Sequence, residues 1–239
     1  MDDATPVGEV RTDGRSARWE DHRSARRAHI VDAALTVLQR QPPGAEFHVR
    51  DVAEQAGLGR AVVYRHFADR AELDRAIQDR VLASLLDRVD PEVSLNGSIE
   101  QIIRRIVGAY VGWAAEHPAL HRFAVSHSVT GEGGTGLERA VGRLGAELVE
   151  LVRSGAGLLG IRLAPQDDEL IDPLVFGIVG QVFASVRIWL GRSPLSPEAD
   201  AFADHVARSI WIQLDGHARD RGVELDRETP LDDLLLGLR

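Results

Sequence analysis

The feature that most constrains the fold is one short segment, residues 49–67, which reads VRDVAEQAGLGRAVVYRHF. Two helical patterns flank a central Gly57-Leu58-Gly59. The second pattern carries polar side chains on one side: Arg60, Tyr64, Arg65 and His66. Its opposite side is apolar, with Val63 and Phe67. This arrangement predicts a helix-turn-helix whose second helix fits a DNA major groove.

Residue sizes within the segment favour the same geometry. Ala53 is small enough to let the two helices approach closely, and Gly57 accepts the positive φ of a tight turn. Four apolar residues are placed to lock the pair together: Val52, Ala56, Leu58 and Val63. One face of the second helix then stays free for contacts.

The free face supplies the candidate DNA-binding residues. Arg60, at the start of the helix, is the candidate for a guanine contact, and Ala61 and Val62 for contacts with thymine methyl groups. Phosphate contacts are expected from the remaining candidates: His48, Tyr64, Arg65, His66 and Arg70. For each residue taken singly, a solvated surface position is an equally good interpretation.

Apolar spacing predicts an all-α chain of about nine helices, with no strand pattern and no internal repeat. The predicted helices cover about 23–39, 49–56, 60–67, 70–88, 98–117, 118–125, 137–158, 167–190 and 198–219. The expected domains are a helix-turn-helix domain at 23–70 and a helical ligand-binding and dimerisation domain at 71–219. Residues 220–239 are expected to form a charged C-terminal tail that ends in a further short helix.

The first 22 residues are polar and are expected to form a disordered arm. Two interpretations of this arm stay open. It is either a solvated tail without a role, or a segment whose Arg11, Arg15 and Arg18 reach an adjacent minor groove.

Composition narrows the function classes. Cysteine is absent, which excludes disulfides, thiol nucleophiles and Cys-ligated zinc. Neither a signal peptide nor an uninterrupted apolar run of membrane-spanning length is evident, so a cytoplasmic location is expected. The net charge is −9, but residues 23–67 carry seven arginines and four acidic residues, a local charge of +3. Residues 81–239 carry fifteen arginines and twenty-three acidic residues, a charge of −8, which suggests a DNA-binding end and an acidic body.

At this level of detail the sequence resembles the tetracycline-repressor (TetR) family of bacterial regulators. The resemblance covers about residues 26–73, through RRAHIVDAALTVL, the segment 49–67 with its Tyr-x-His-Phe ending, and ADRAEL. Two positions depart from the family pattern. Gly59 stands where Ser or Thr is usual as a helix cap, and Arg70 stands where Lys is usual.

The resemblance implies an all-α, Ω-shaped homodimer that binds a palindromic DNA operator. Its three N-terminal helices would bind DNA, and its larger C-terminal part would bind a small-molecule effector. Dimerisation would use the last two long helices, here about 167–190 and 198–219. The function that the resemblance implies is that of a repressor released from DNA by its ligand.

Large side chains of the predicted fifth, sixth and eighth helices are the candidate ligand contacts: Tyr110, Trp113, Phe123, Phe176 and Phe183. They suggest a mainly apolar ligand, although ordinary core packing explains each of them equally well. His117 and His121 have the spacing of a metal pair, but Pro118 interrupts the helix between them and no third ligand is evident. No metal and no cofactor is expected.

Two other functions compete with the ligand-released repressor. One is an activator, or a regulator controlled by a protein partner. The other, more remote, is an enzyme or small-molecule carrier with a vestigial helix-turn-helix. No catalytic carboxylate pair, nucleophile motif or cofactor fingerprint supports an enzyme.

Overall fold

The computed structural model describes residues 14–41, 46–126 and 135–231, and within these ranges it contains helices and no strands. The helices are α1 (Gly14–Arg40), α2 (Val49–Gln55), α3 (Arg60–His66), α4 (Arg70–Val89), α5 (Ile99–Glu116), α6 (Pro118–Ser126), α7 (Gly136–Leu158), α8 (Pro165–Leu190) and α9 (Ala199–Arg219). A single 3-10 turn, Asp90–Glu92, follows α4. The predicted all-α class is confirmed.

The turn between α2 and α3 depends on one left-handed glycine. Gly57 has φ +65°, and its amide donates to the Glu54 carbonyl at 3.1 Å. The next amide, of Leu58, donates to the Ala53 carbonyl at 2.8 Å. This pair of hydrogen bonds is a Schellman motif, which satisfies the last carbonyls of α2 and redirects the chain.

The start of α4 is fixed by side-chain caps, whereas the start of α3 is not. Asp69 Oδ1 accepts the Glu72 amide at 2.7 Å, as its sequence position predicts. Gly59 precedes α3 in extended backbone and has no side chain to offer. The first turn of the recognition helix therefore keeps exposed amides without a side-chain partner from this position.

One buried stripe on α4 joins the helix-turn-helix to the rest of the protein. Every fourth residue along this helix is buried, beginning with Leu73, Ile77, Val81 and Leu85. Its first turns complete the core of α1–α3, where Val52 and Val63 are also fully buried. Its later turns pack against α5 and α7, and Gln78 Nε2 donates to the Ala124 carbonyl of α6 at 2.7 Å.

The C-terminal helices form two packed pairs, α5 with α9 and α7 with α8. A small separate apolar cluster lies between α7 and α8, built from Val149, Ile171, Val175 and Val179. The larger core runs from α1 through α4 and α5 to α9. This arrangement leaves room where the ends of the two pairs meet.

Two expectations from the sequence need correction. First, α1 begins at Gly14, so residues 14–22 are helical and are not part of a disordered arm. Arg11 and the side chains of Arg15 and Arg18, which were candidates for a minor-groove contact, lie outside the part of the chain that the structure describes. Second, the tail from 220 packs against the body, because the Leu231 amide donates to the Gly97 carbonyl at 2.9 Å. Residues 232–239, where a further helix was expected, lie outside the described ranges.

The apolar composition of α8 is also relevant to membrane topology. Although no uninterrupted apolar run reaches membrane-spanning length, Pro165–Leu190 has the length and mean hydropathy of a span. Core helices of soluble proteins meet the same criteria, and α8 here packs along α7 and α5. These contacts bury 33% of its apolar stretch, so packing within the chain explains part of its apolar character.

Gly57→Ala should lower the free energy of unfolding by about 1–2 kcal/mol, because a Cβ is strained in the left-handed region. Gly59→Ser is the matched control. Gly59 has a negative φ, and a Cβ added there meets nothing within 4 Å. Because the serine hydroxyl can cap α3, we expect the free energy of unfolding to rise by a few tenths of a kcal/mol. Urea denaturation measures both; equal losses would contradict the assigned turn geometry.

Candidate DNA-binding surface and apolar cavity

The outer face of α3 is open, as the sequence predicts. Arg60, Ala61, Tyr64 and Arg65 are exposed, while Val62 and His66 are half-buried. The Arg60 guanidinium lies 6.0 Å from the centre of the Tyr64 ring. Because Val63 and Phe67 hold the opposite face in the core, the helix presents a fixed set of donors to the outside.

The two remaining candidates, His48 and Arg70, have different surroundings. His48 is exposed just before α2, with Nε2 3.7 Å from the Glu46 carboxylate. Arg70 is held within the domain, donating to Asp74 Oδ1 at 2.7 Å and to the Phe47 carbonyl at 3.0 Å. Its guanidinium also lies 4.8 Å from the centre of the Phe47 ring. Arg70 therefore ties α4 to the segment before α2.

His66 lies where α1 meets the end of α3. Arg27 donates to the His66 carbonyl and to Glu72 Oε1, the latter at 2.8 Å, and its guanidinium covers the Phe67 ring. Burial lowers the pKa of His66, and the nearby charges of Arg23, Arg26, Arg27 and Arg65 lower it further. The imidazole is therefore biased toward its neutral form in this basic environment.

An apolar cavity of about 540 Å³ lies where α5, α7, α8, α9 and the C-terminal segment meet. This volume is within the range of small-molecule sites. Most of its wall is aliphatic, for example Ile102 of α5, Leu151 of α7, Leu174 of α8 and Leu214 of α9. The folded-back tail supplies Val223, Leu225 and Leu231. Such a wall suits a ligand that is largely hydrocarbon.

The polar residues of the cavity wall are Asp167, His217 and Arg221. Arg221 Nε donates to Asp167 Oδ1 at 2.7 Å, and Arg221 Nη1 donates to the His217 carbonyl at 2.9 Å. They lie where the start of α8 meets the end of α9. Sequence reasoning missed them, although the apolar Val223 and Leu225 within a charged tail were a signal that this segment packs inward.

None of the five aromatic candidates lines this cavity. Tyr110 and Phe183 pack together, with ring centres 5.0 Å apart, and Trp113 packs against His117. Phe123 meets Phe47 edge-on. Phe176 is 38% exposed and lies over Gly145 of α7. The five side chains are thus distributed among separate packing contacts, and the cavity is lined by other residues.

The two histidines that have metal-pair spacing have separate partners. His117 Nδ1 lies 3.3 Å from Gln39 Nε2, while His121 Nε2 lies 2.8 Å from the Tyr110 hydroxyl. Burial lowers the pKa of His121 to about 4, so it is neutral near pH 7. Burial also raises the pKa of Tyr110. This buried pair is a hydrogen-bonded core contact between α5 and α6.

Comparison with known proteins agrees with this architecture. Residues 30–77 match the family model of bacterial regulatory proteins of the tetR family. Over 234 residues, 96% of this chain and 95% of the other, the sequence is 26% identical to Rv0472c of Mycobacterium tuberculosis, described as an uncharacterized HTH-type transcriptional regulator. A tetR-family regulator from Streptomyces coelicolor has the same fold, with TM-score 0.63, 18% identity, and coverage of 90% of this chain and 96% of the other.

A third similar protein, the transcriptional regulator FadR from Bacillus subtilis, was solved in complex with stearoyl-CoA. It superposes with TM-score 0.56 at 14% identity, over 77% of this chain and 96% of FadR. The helix-turn-helix, the all-helical body and these matches define a helical transcriptional regulator. Its helix-turn-helix segment, residues 30–77, matches the tetR-family model, and the chain resembles regulators of this family in fold.

Arg70→Ala should lower the free energy of unfolding by about 1–3 kcal/mol, because the Asp74 carboxylate, only 10% exposed, would lose its cationic partner. Arg65→Ala removes the same charge from an exposed position of the same domain and should leave stability within about 0.5 kcal/mol. Urea denaturation of both variants measures the difference. If Arg70→Ala is as stable as Arg65→Ala, the anchoring role is wrong.

Proposed function

We propose that the protein is a cytoplasmic homodimeric repressor, which binds a palindromic DNA operator and is released by a mainly apolar small molecule. The observation that carries this proposal is the exposed polar face of α3 on a helix-turn-helix whose other faces are locked in the core. The apolar cavity in the C-terminal body supports the ligand-responsive part.

On DNA, Arg60 is proposed to read a guanine, because a guanidinium can donate two hydrogen bonds to O6 and N7. Ala61 and Val62 would contact thymine methyl groups beside it. Tyr64, Arg65, His66 and His48 would position the domain on phosphates. The internal contacts of Arg70 support a role in fixing the junction that carries these groups. In this assignment, the base contacts determine which DNA sequence is bound, and the phosphate contacts add affinity for any DNA sequence.

The proposed dimer surface lies on α8 and α9, at the positions expected from the sequence. Exposed α8 residues recur at spacings of three or four along one face: Pro173, Phe176, Gly177, Gly180, Gln181, Ala184, Arg187 and Ile188. Ile188 is 61% exposed, and Ile212 on α9 is 62% exposed. Gln213 Nε2 donates to Gln181 Oε1 at 3.0 Å, so the two helices adjoin. A second copy would bury this apolar face in a four-helix contact.

The cavity and this surface share two helices, which suggests a mechanism. α8 and α9 supply both cavity wall and the proposed dimer contact, and Pro173 of α8 belongs to both. A ligand that fits better when these helices shift would change the distance between the two copies of α3, which must match successive major grooves about 34 Å apart. Ligand and operator would then weaken each other's binding by the same factor.

The chemistry of the wall supports a long-chain or otherwise hydrocarbon-rich ligand. Stearoyl-CoA, present in the complex of Bacillus subtilis FadR, contains a saturated acyl chain of this character. A ligand of this class would place its hydrocarbon among the leucines and isoleucines of the cavity. Its polar group would lie near Asp167, His217 and Arg221.

The DNA-binding proposal predicts selective, salt-sensitive binding to a palindrome upstream of the protein's own gene, and loss of one half-site should weaken it strongly. Arg60→Ala should lower the discrimination between correct and incorrect bases at one base pair of each half-site by about 1–3 kcal/mol. Arg88→Ala is the control, because Arg88 is an exposed residue in the last turn of α4. Fluorescence anisotropy with mutated operators measures both; wild-type binding indifferent to sequence would overturn the proposal.

The ligand proposal predicts that a bulky side chain placed in the cavity abolishes ligand binding and leaves DNA binding intact. Gly155 lies in the cavity wall, where an added Cβ meets only Leu95 and Leu231 at ordinary contact distances, so Gly155→Leu places a bulky side chain in the cavity. Gly157→Leu is the matched control, because Gly157 lies on the same helix but is exposed.

Stearic acid and the apolar dye N-phenyl-1-naphthylamine serve as probes for this test. At about 100 times Kd, a probe should stabilise the wild type and Gly157→Leu by about 2.7 kcal/mol and leave Gly155→Leu unaffected. Equal stabilisation of all three proteins would place the ligand elsewhere.

A further inference from the structure

The N-terminal half of α1 has a polar face that the helix-turn-helix does not use. Trp19, Arg23, Arg26 and Ile30 follow one another at helical spacings of four, three and four residues, so they share one side of the helix. Ile30 is fully buried in the core of the DNA-binding domain. The three residues before it continue the same side beyond that core, and all three are exposed.

The position of this face is fixed by Arg27, one residue further along. Its guanidinium lies 4.1 Å from the centre of the Phe67 ring, and it donates to the His66 carbonyl at the end of α3. Its charge is balanced by Glu72, 2.8 Å away. Arg23 and Arg26 therefore extend α1 beside the C-terminal end of the recognition helix.

Three arginines at this junction have no acidic partner among the side chains that the structure describes. No carboxylate among them lies within 4.0 Å of Arg23, Arg26 or Arg65. The three guanidinium groups come close enough to the His66 imidazole to lower its pKa. A set of cations on two adjoining helices, next to a major-groove helix, has the chemistry that duplex phosphates require.

We propose that Arg23 and Arg26 of α1, together with Trp19 on the same face, form a second DNA contact that binds the sugar–phosphate backbone beside α3. The contact adds affinity and carries no sequence information, because phosphates are the same at every base pair. It lies outside the helix-turn-helix itself and rests on the proposed DNA-binding function. The helical continuation of α1 to Gly14, in place of a disordered arm, is what holds these side chains there.

The first test is the double variant Arg23→Ala/Arg26→Ala. Loss of two phosphate contacts should reduce the slope of log affinity against log salt by about 1.8 and weaken binding about 30-fold at about 0.15 M salt. Operator and unrelated DNA should be affected alike. Arg23→Lys/Arg26→Lys should keep most of the slope, because it keeps both charges. Arg88→Ala/Arg162→Ala, which removes two exposed arginines elsewhere, should change neither quantity.

Trp19 gives a second, independent measurement. It is 67% exposed, whereas the other three tryptophans, Trp113, Trp189 and Trp211, are buried. Acrylamide quenching in the free protein therefore reports mainly on Trp19, and DNA of either sequence should protect it. Protection that depends on protein concentration without DNA would identify a second copy as the occupant and overturn the proposal.

The outcomes separate this inference from the proposed function. If the wild type binds its operator selectively while the double alanine variant keeps the same salt slope, the α1 contact is wrong and the repressor proposal stands. If the wild type binds DNA without selectivity, and the double variant loses that binding and the protection of Trp19, the α1 contact stands and the repressor proposal fails.

Discussion

The buried stripe of α4 is the constraint on which the rest of the structure depends. Leu73 and Ile77 close the core of the helix-turn-helix, and Val81 and Leu85 belong to the body formed with α5 and α7. One continuous apolar core therefore passes through both parts of the chain. A close-packed core resists deformation, so a displacement of the body along α4 is transmitted to α3. The polar Gln78–Ala124 hydrogen bond within this core also connects α4 to α6.

The sequence predicts the helix-turn-helix because its determinants are local. Gly57, Ala53 and Val63 lie within eleven residues, and their spacing alone specifies the turn, the close approach and the buried face. The Asp69 cap is likewise determined by a residue three positions away. The internal contacts of Arg70 could not be predicted in this way, since its partners, Phe47 and Asp74, become apparent only when three segments are assembled.

The cavity was not predictable in the same way, because its walls come from distant parts of the chain. Arg227 pairs with Glu100, and the Leu231 amide reaches the Gly97 carbonyl, contacts that span more than a hundred residues. The aromatic side chains do not indicate the position of the cavity. Their size predicts burial, and Tyr110, Trp113 and Phe123 are buried, but burial in a packed core leaves no space beside them. The space lies among aliphatic residues where two helix pairs meet.

The position of the cavity favours regulation through the dimer geometry over a direct effect on α3. Its walls belong to α5, α7, α8, α9 and the tail, and no residue of α1–α4 lines it. A ligand there has no contact with the DNA-binding domain. Under the proposed function, its effect would come from differential binding to two arrangements of the helices around it, and about 5.5 kcal/mol of such a difference shifts a population from 1:99 to 99:1. Burial of hydrocarbon at about 25 cal/mol per Å² reaches this value with roughly 220 Å² of apolar surface. A largely hydrocarbon ligand can therefore supply the required free energy, provided that the cavity closes around it in only one of the two arrangements.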